Sequence, residues 1–280
     1  MMARPANTGI VVSEQMERIS EIRIDSGFGL VDPLSVGKGD VVSLVGAGGK
    51  TTVLYALAIE LRRRGFSVVA TSTTHMQMPT TASTAPPLVV VAEEDNWITT
   101  VKARLSRYGS VTVIRERVRD DKLRGVEPVM IDPLRSLVDC VIIEADGARG
   151  RSLKAPADHE PVIPEETTLT VVLAGLDVVG EPLDDAHVHR AAIAKDLPGL
   201  GPTGIVTDEV LVAAVIEGYF PKLPRHGRRM VFLNKASDER LKSAERIGGK
   251  LLRRGAPEVV FGQASKPHEC FYRMTLSERR

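Results

Sequence analysis

The chain has 280 residues, 43% of them hydrophobic, enough to bury a substantial core as one large α/β domain or two small ones. Basic and acidic residues nearly cancel, 37 against 36, and aromatics make up only 4%, so neither a basic field nor a base-stacking surface speaks for nucleic acid. No apolar run reaches the roughly 20 residues of a membrane span, and two separated cysteines, Cys140 and Cys270, form no disulfide framework or zinc motif.

Residues 1–25 show no sustained period and lack the apolar segment of a secretory signal. They are expected to form an extension, and with the cysteine usage they point to the cytoplasm. Residues 41–45, Val-Val-Ser-Leu-Val, read as a buried parallel strand ended by glycines. Residues 50–64 place Val53, Leu54, Leu57, Ala58 and Leu61 at helical spacing, with Gly65 as the C-cap glycine and Arg62 to Arg64 as a solvated end. Residues 67–71 form the next strand, which closes a βαβ unit. Further along, 88–91 and 111–114 read as strands with a helix over 97–108 between them. Strands are also expected at 140–144, 169–174, 230–233 and 258–261, and helices at 209–220, capped by Thr207 or Asp208, and at 240–254. Residues 80–87 and 154–166 read as loops. The alternation predicts an α/β fold, a mostly parallel sheet with helices on both faces. The domain is expected to span 26–265, with a tail over 266–280.

Chemistry concentrates between the first strand and its helix. Gly46, Ala47, Gly48, Gly49, Lys50, Thr51 and Thr52 form a phosphate loop in the strand-to-helix setting such a loop needs. Glycines allow N–H groups to approach phosphate oxygens, and the helix adds its positive end. Lys50 would reach the β- and γ-phosphates, and Thr51 would bind Mg²⁺. The spacing departs from the usual one, because Leu44 stands where a glycine is common. Glu144 and Asp146 end a strongly apolar strand, at the sheet edge where ligands of open α/β folds sit. Asp146 would hold Mg²⁺ through water or cap a turn, and Glu144 would position or activate a water. Asn234 and Lys235 follow an apolar run as a guanine-reading element would, but the acid arrives one residue late as Asp238. ATP and GTP therefore both stay open.

Several stretches together resemble the YqeC family of accessory proteins for selenium-dependent hydroxylases. They are Val45 to Thr52, Thr71-Ser-Thr-Thr-His75 with Pro79, Ile143 to Gly147, Lys154-Ala-Pro-Ala-Asp-His-Glu-Pro161, and His189-Arg190. The resemblance covers residues 37–262. It implies a P-loop NTPase that serves maturation of molybdenum hydroxylases, with such a hydroxylase or its cofactor-assembly proteins as partner. Related P-loop enzymes often act as homodimers.

In that light Thr73, Thr74 and His75 follow the second strand as a switch or a loop cap. Lys154, His159 and Glu160 sit in a proline-bounded loop that serves a substrate, a partner or local salt bridges. Arg149, Arg151 or Arg190 would stabilise charge as a finger. His187 and His189, two apart, make a weak metal motif, and Cys140 reads as core. A small-molecule kinase or ligase and a non-catalytic nucleotide switch are the alternative functions.

Overall fold

In a computed structural model the chain is described over residues 19–24, 29–77, 86–120, 122–197, 204–266 and 270–276. The elements run β1 (Ile19–Ile24), β2 (Val41–Gly46), α1 (Lys50–Arg63), β3 (Val68–Ser72), β4 (His75–Gln77) and β5 (Leu88–Val90). Next come α2 (Trp97–Tyr108), β6 (Ser110–Ile114), β7 (Glu116–Arg119), β8 (Lys122–Arg124), α3 (Ile131–Arg135) and β9 (Cys140–Glu144). Then follow β10 (Leu153–Lys154), β11 (Leu169–Gly175), β12 (Val188–His189), α4 (Ala191–Lys195) and α5 (Asp208–Ala213). The last are β13 (Arg228–Asn234), α6 (Leu241–Arg253), β14 (Glu258–Gly262) and β15 (Phe271–Leu276).

Ten strands form one sheet in the order β1-β15-β14-β13-β11-β2-β9-β3-β6-β5. All neighbours from β14 to β5 are parallel, while β15 and β1 run antiparallel at one edge. In β2 every residue is buried. Val41 and Val45 join the core on one face, with helices α2 to α6, and Val42 and Leu44 join the core under α1 on the other. That two-sided burial explains why the strand reads as a continuous apolar run.

The chain winds first to one side of β2, through β3, β6, β5 and β9, and then to the other, through β11, β13 and β14. The winding reverses at β2, so a crevice opens at the carboxyl ends of β2 and its neighbours, where open α/β sheets bind ligands.

The structure departs from the sequence-based expectation in four places. Residues read as an N-terminal extension and a C-terminal tail contribute β1 and β15, a pair of edge strands. A separate three-stranded antiparallel sheet, β4-β8-β7, has no counterpart in the sequence pattern; its strands are short and charged and lack an apolar run. The helix expected over 209–220 is α-helical only to Ala213, is capped by the Thr207 side chain and continues as a π-helical turn, Ala214–Tyr219. Within the loop over 154–166, Lys154 ends β10, which pairs with β12. Pro79 and most of the loop over 80–87 lie outside the described residues. Among the described residues no helix is long and apolar enough to cross a membrane.

Candidate phosphate-binding cleft

The loop after β2 owes its glycines to close packing. Gly46, Gly48 and Gly49 hold φ of 92°, 88° and 112°, a region that favours glycine. A Cβ on Gly46 would lie 2.2 Å from the Leu173 carbonyl oxygen, and one on Gly48 would lie 2.3 Å from the Gly175 nitrogen. The glycines that depart from the usual spacing are therefore those pressed against β11. Three loop amides are engaged inside the protein: Gly46 N–H donates to Asp146 (3.2 Å), Ala47 N–H to the Leu173 carbonyl (2.9 Å) and Gly48 N–H to the Arg151 carbonyl (2.9 Å). The amides at the start of α1 have no partner within an α-helix and belong to residues on the wall of a cleft of about 850 Å³, which Gly48 to Thr52 help line.

Lys50 folds back beneath the loop. Its Nζ donates to the Gly46 carbonyl at 2.5 Å and lies 3.1 Å from the Asp146 carboxylate. Asp146, expected beside Mg²⁺, is instead fully buried and off the cleft wall. It lies between two cations, Lys50 and Lys154 (3.1 Å), and accepts a hydrogen bond from the Tyr219 hydroxyl (2.6 Å). The chain of alternating charges continues from Lys154 to Glu160 (3.0 Å) and on to Arg190 (3.1 Å). It links the phosphate loop to the far wall. Nothing in the sequence singles out Tyr219, because its helix reads as apolar all round and no local pattern marks the π turn that brings the ring in.

Glu144 lines the cleft and accepts a hydrogen bond from the Thr51 hydroxyl at 2.7 Å. Burial pushes its carboxyl upward, while Lys50 and Thr51 pull it down; the net direction is up. Thr51 and Glu144 are two adjacent hard oxygen donors on the cleft wall, of the kind that suits a divalent cation. Among the described residues no group of three or more His, Cys, Asp or Glu is placed to hold a metal ion.

Thr74 and His75 line the cleft, and the Thr74 hydroxyl is buried without a hydrogen-bond partner among the described residues. Thr73 is tied instead to the Val162 carbonyl (2.6 Å), and His159 is exposed and outside the cleft. Asn234 braces the loop: its amide donates to the Gly48 carbonyl (2.7 Å) and accepts from the Lys235 and Ala264 amides. Lys235 lines the cleft and bonds Ser152 (2.7 Å) and Asp177 (2.8 Å). His187 pairs with Asp184 (2.8 Å), whereas His189 lines the cleft, so the two histidines do not share a site. Cys140 is core; burial pushes its thiol up to about 12.

Four non-glycine residues among those described hold positive φ, and three of them, Arg149, Arg190 and Lys235, line this cleft. Such conformations cost about 1–3 kcal/mol each and gather at functional sites.

Residues 42–192 match the YqeC protein family. The chain is 37% identical over 201 residues to the Escherichia coli (strain K12) "Uncharacterized protein YqeC", an alignment covering 70% of this chain and 76% of that protein. Two solved structures also align. FtsY from Mycoplasma mycoides shares 10% identity at a TM-score of 0.37, over 85% of this chain and 63% of FtsY. PAB0955 from Pyrococcus abyssi, a GTPase in apo form, shares 14% identity at a TM-score of 0.33, over 82% of this chain and 92% of that one. Scores this low bear on nothing further; the fold rests on the strand order given above. The family match spans more than half the chain and takes in the phosphate loop, Glu144, Asp146 and the far wall of the cleft, and the chain belongs to the YqeC family.

Proposed function

We propose that the chain binds a nucleoside triphosphate, ATP or GTP, with Mg²⁺ in the cleft at the end of β2 and hydrolyses it. One observation carries this reading: a glycine loop wedged against β11 leads into α1 at the point where the sheet reverses its winding. Lys50, held at rest by Asp146 and the Gly46 carbonyl, would turn to the phosphates, and Lys154 would keep Asp146 neutralised. Thr51 and Glu144 would hold the Mg²⁺, which supplies charge neutralisation for the phosphoryl oxygens. The unpartnered Thr74 hydroxyl and the remaining Glu144 oxygen are placed to orient a water or sense the terminal phosphate. Membership of the YqeC family extends the proposal to a maturation factor for selenium-dependent molybdenum hydroxylases, with the hydroxylase or its cofactor-assembly proteins as partner.

Calorimetric titration with ATP and with GTP, each with Mg²⁺, tests the site in the unmodified chain and in Lys50→Ala. Losing a charge-assisted contact to phosphate should weaken binding about tenfold or more. Equal affinity in the two proteins would refute the assignment. The preferred base in that titration decides between ATP and GTP.

A further inference from the structure

The cleft carries more positive charge than one nucleotide requires. A nucleoside triphosphate with its Mg²⁺ keeps about two negative charges, and Lys50 with the amino end of α1 answers those. Arg149, Lys122 and Arg190 line the same cleft, although the chain as a whole is almost neutral. Among the described residues neither Arg149 nor Lys122 meets a carboxylate. Glu144 and Glu160 line the cleft as well, and Glu160 pairs with Arg190, so the local surplus rests on Arg149 and Lys122.

The arginines are also held in place. Arg190 gives Nε and Nη2 to Glu160, at 3.3 and 3.1 Å, and its Nη1 meets no acceptor among the described residues. Glu160 is in turn fixed by Lys154, whose side chain is fully buried. Arg149 and Gly150 follow each other at φ of 48° and 75°, inside a stretch, residues 147–151, that lines the cleft throughout. The Arg151 N–H closes this turn on the Ala148 carbonyl (3.0 Å), which fixes the loop that carries Arg149, and guanidinium edges match the oxygens of phosphate.

We propose that residues 147–151, with His189 and Arg190, form a second anion subsite that takes a phosphate-bearing small molecule beside the nucleotide. It rests on the nucleotide reading of the opposite wall and gives that reading a second ligand class. His189 supports it. Burial first, then Lys154, Arg190 and Arg149, against the opposing Glu160, holds its imidazole at about 4. It is neutral at pH 7 in a positive field, and an anion bound there would relax that field.

Inorganic phosphate is the probe. The full chain, saturated with Mg²⁺ and a non-hydrolysable nucleotide analogue, is titrated with phosphate by calorimetry, and the His189 imidazole is followed by NMR. The nucleotide-loaded protein should bind phosphate, and the double variant Arg149→Ala, Arg190→Gln should bind it at least about tenfold more weakly with nucleotide affinity held within roughly threefold. Phosphate should raise the His189 pKa in the unmodified protein and leave it unmoved in the double variant. If Arg190→Gln disturbs the Glu160–Lys154 pairing, Arg149→Ala alone, at an exposed position outside that chain of ions, is the deciding variant. No phosphate binding to the loaded protein, or binding indifferent to Arg149, would overturn the proposal. If nucleotide fails to bind but phosphate still depends on Arg149, the nucleotide reading falls and the anion subsite stands. Nucleotide binding without phosphate binding does the opposite: the subsite falls and the nucleotide site stands.

Discussion

Glu160 lies between Lys154 and Arg190 with 11% of its side chain exposed. Burial alone would raise its carboxyl, but hydrogen bonds from Arg190 and Lys154 outweigh it and hold the group at about 2, against an ordinary 4.5. A carboxylate depressed in the folded state stabilises that state above its unfolded pKa, and the gain fades as pH falls toward the folded one. A shift of that size corresponds to a ceiling of about 3 kcal/mol. Glu160→Gln should therefore cost about 2 kcal/mol at pH 7, less below about pH 4 and almost nothing near pH 2. Urea unfolding of both proteins across that range would show it; a cost independent of pH would mean that packing, not charge, is what Glu160 provides. The residue itself is legible in the sequence as part of a polar cluster in a proline-bounded loop. Its connection to Asp146 is not, because Lys154 joins the two only once β10 pairs with β12. The same limit applies to Asp146. Its position after a strand fixes which end of the sheet it occupies but not whether it faces the cleft or, as here, the underside of the loop.

At the level of elements, the phosphate loop and β11 are one unit. Gly48 cannot accept a side chain without displacing the backbone of Gly175, and Asn234 at the end of β13 ties the Gly48 carbonyl from the other side. Gly48→Ala should abolish nucleotide binding and lower stability by about 2 kcal/mol or more, since both sterics and φ oppose it. Thermal unfolding and the nucleotide titration would measure the two effects separately, and an alanine variant of full affinity would contradict the packing argument. The parallel strands and α1, α2 and α6 are readable because burial on both faces of the sheet writes β-branched runs into the sequence and helices write a 3.6-residue period. In the small sheet of β4, β7 and β8 half of the residues are charged, and Met76 and Leu123 are the buried side chains among the described residues, so no period announces it.

For the whole molecule, the antiparallel pair β1 and β15 occupies the far edge of the sheet, separated from β2 by β14, β13 and β11 and so remote from the cleft. Removing residues 1–24 should leave nucleotide affinity unchanged and expose the backbone edge of β15, which invites pairing between copies. Light scattering at rising concentration, beside the same titration, would detect that; weakened nucleotide binding would instead tie the edge strands to the site. Neither strand is evident from sequence, since each gains its partner from the opposite end of the chain.

The π-helical turn, Ala214–Tyr219, sets a matter of phase. Each residue advances a helix by about 100°, and a π turn accommodates about one residue more than an α-helix would. Continued as a regular helix, the same sequence would carry Tyr219 around the helix axis and away from Asp146. The hydroxyl that reaches the centre of the ion chain thus depends on a local miscount in the backbone, and any event that let the turn relax to α-geometry would rotate that hydroxyl away from Asp146 and from the Gly46 backbone at the start of the phosphate loop.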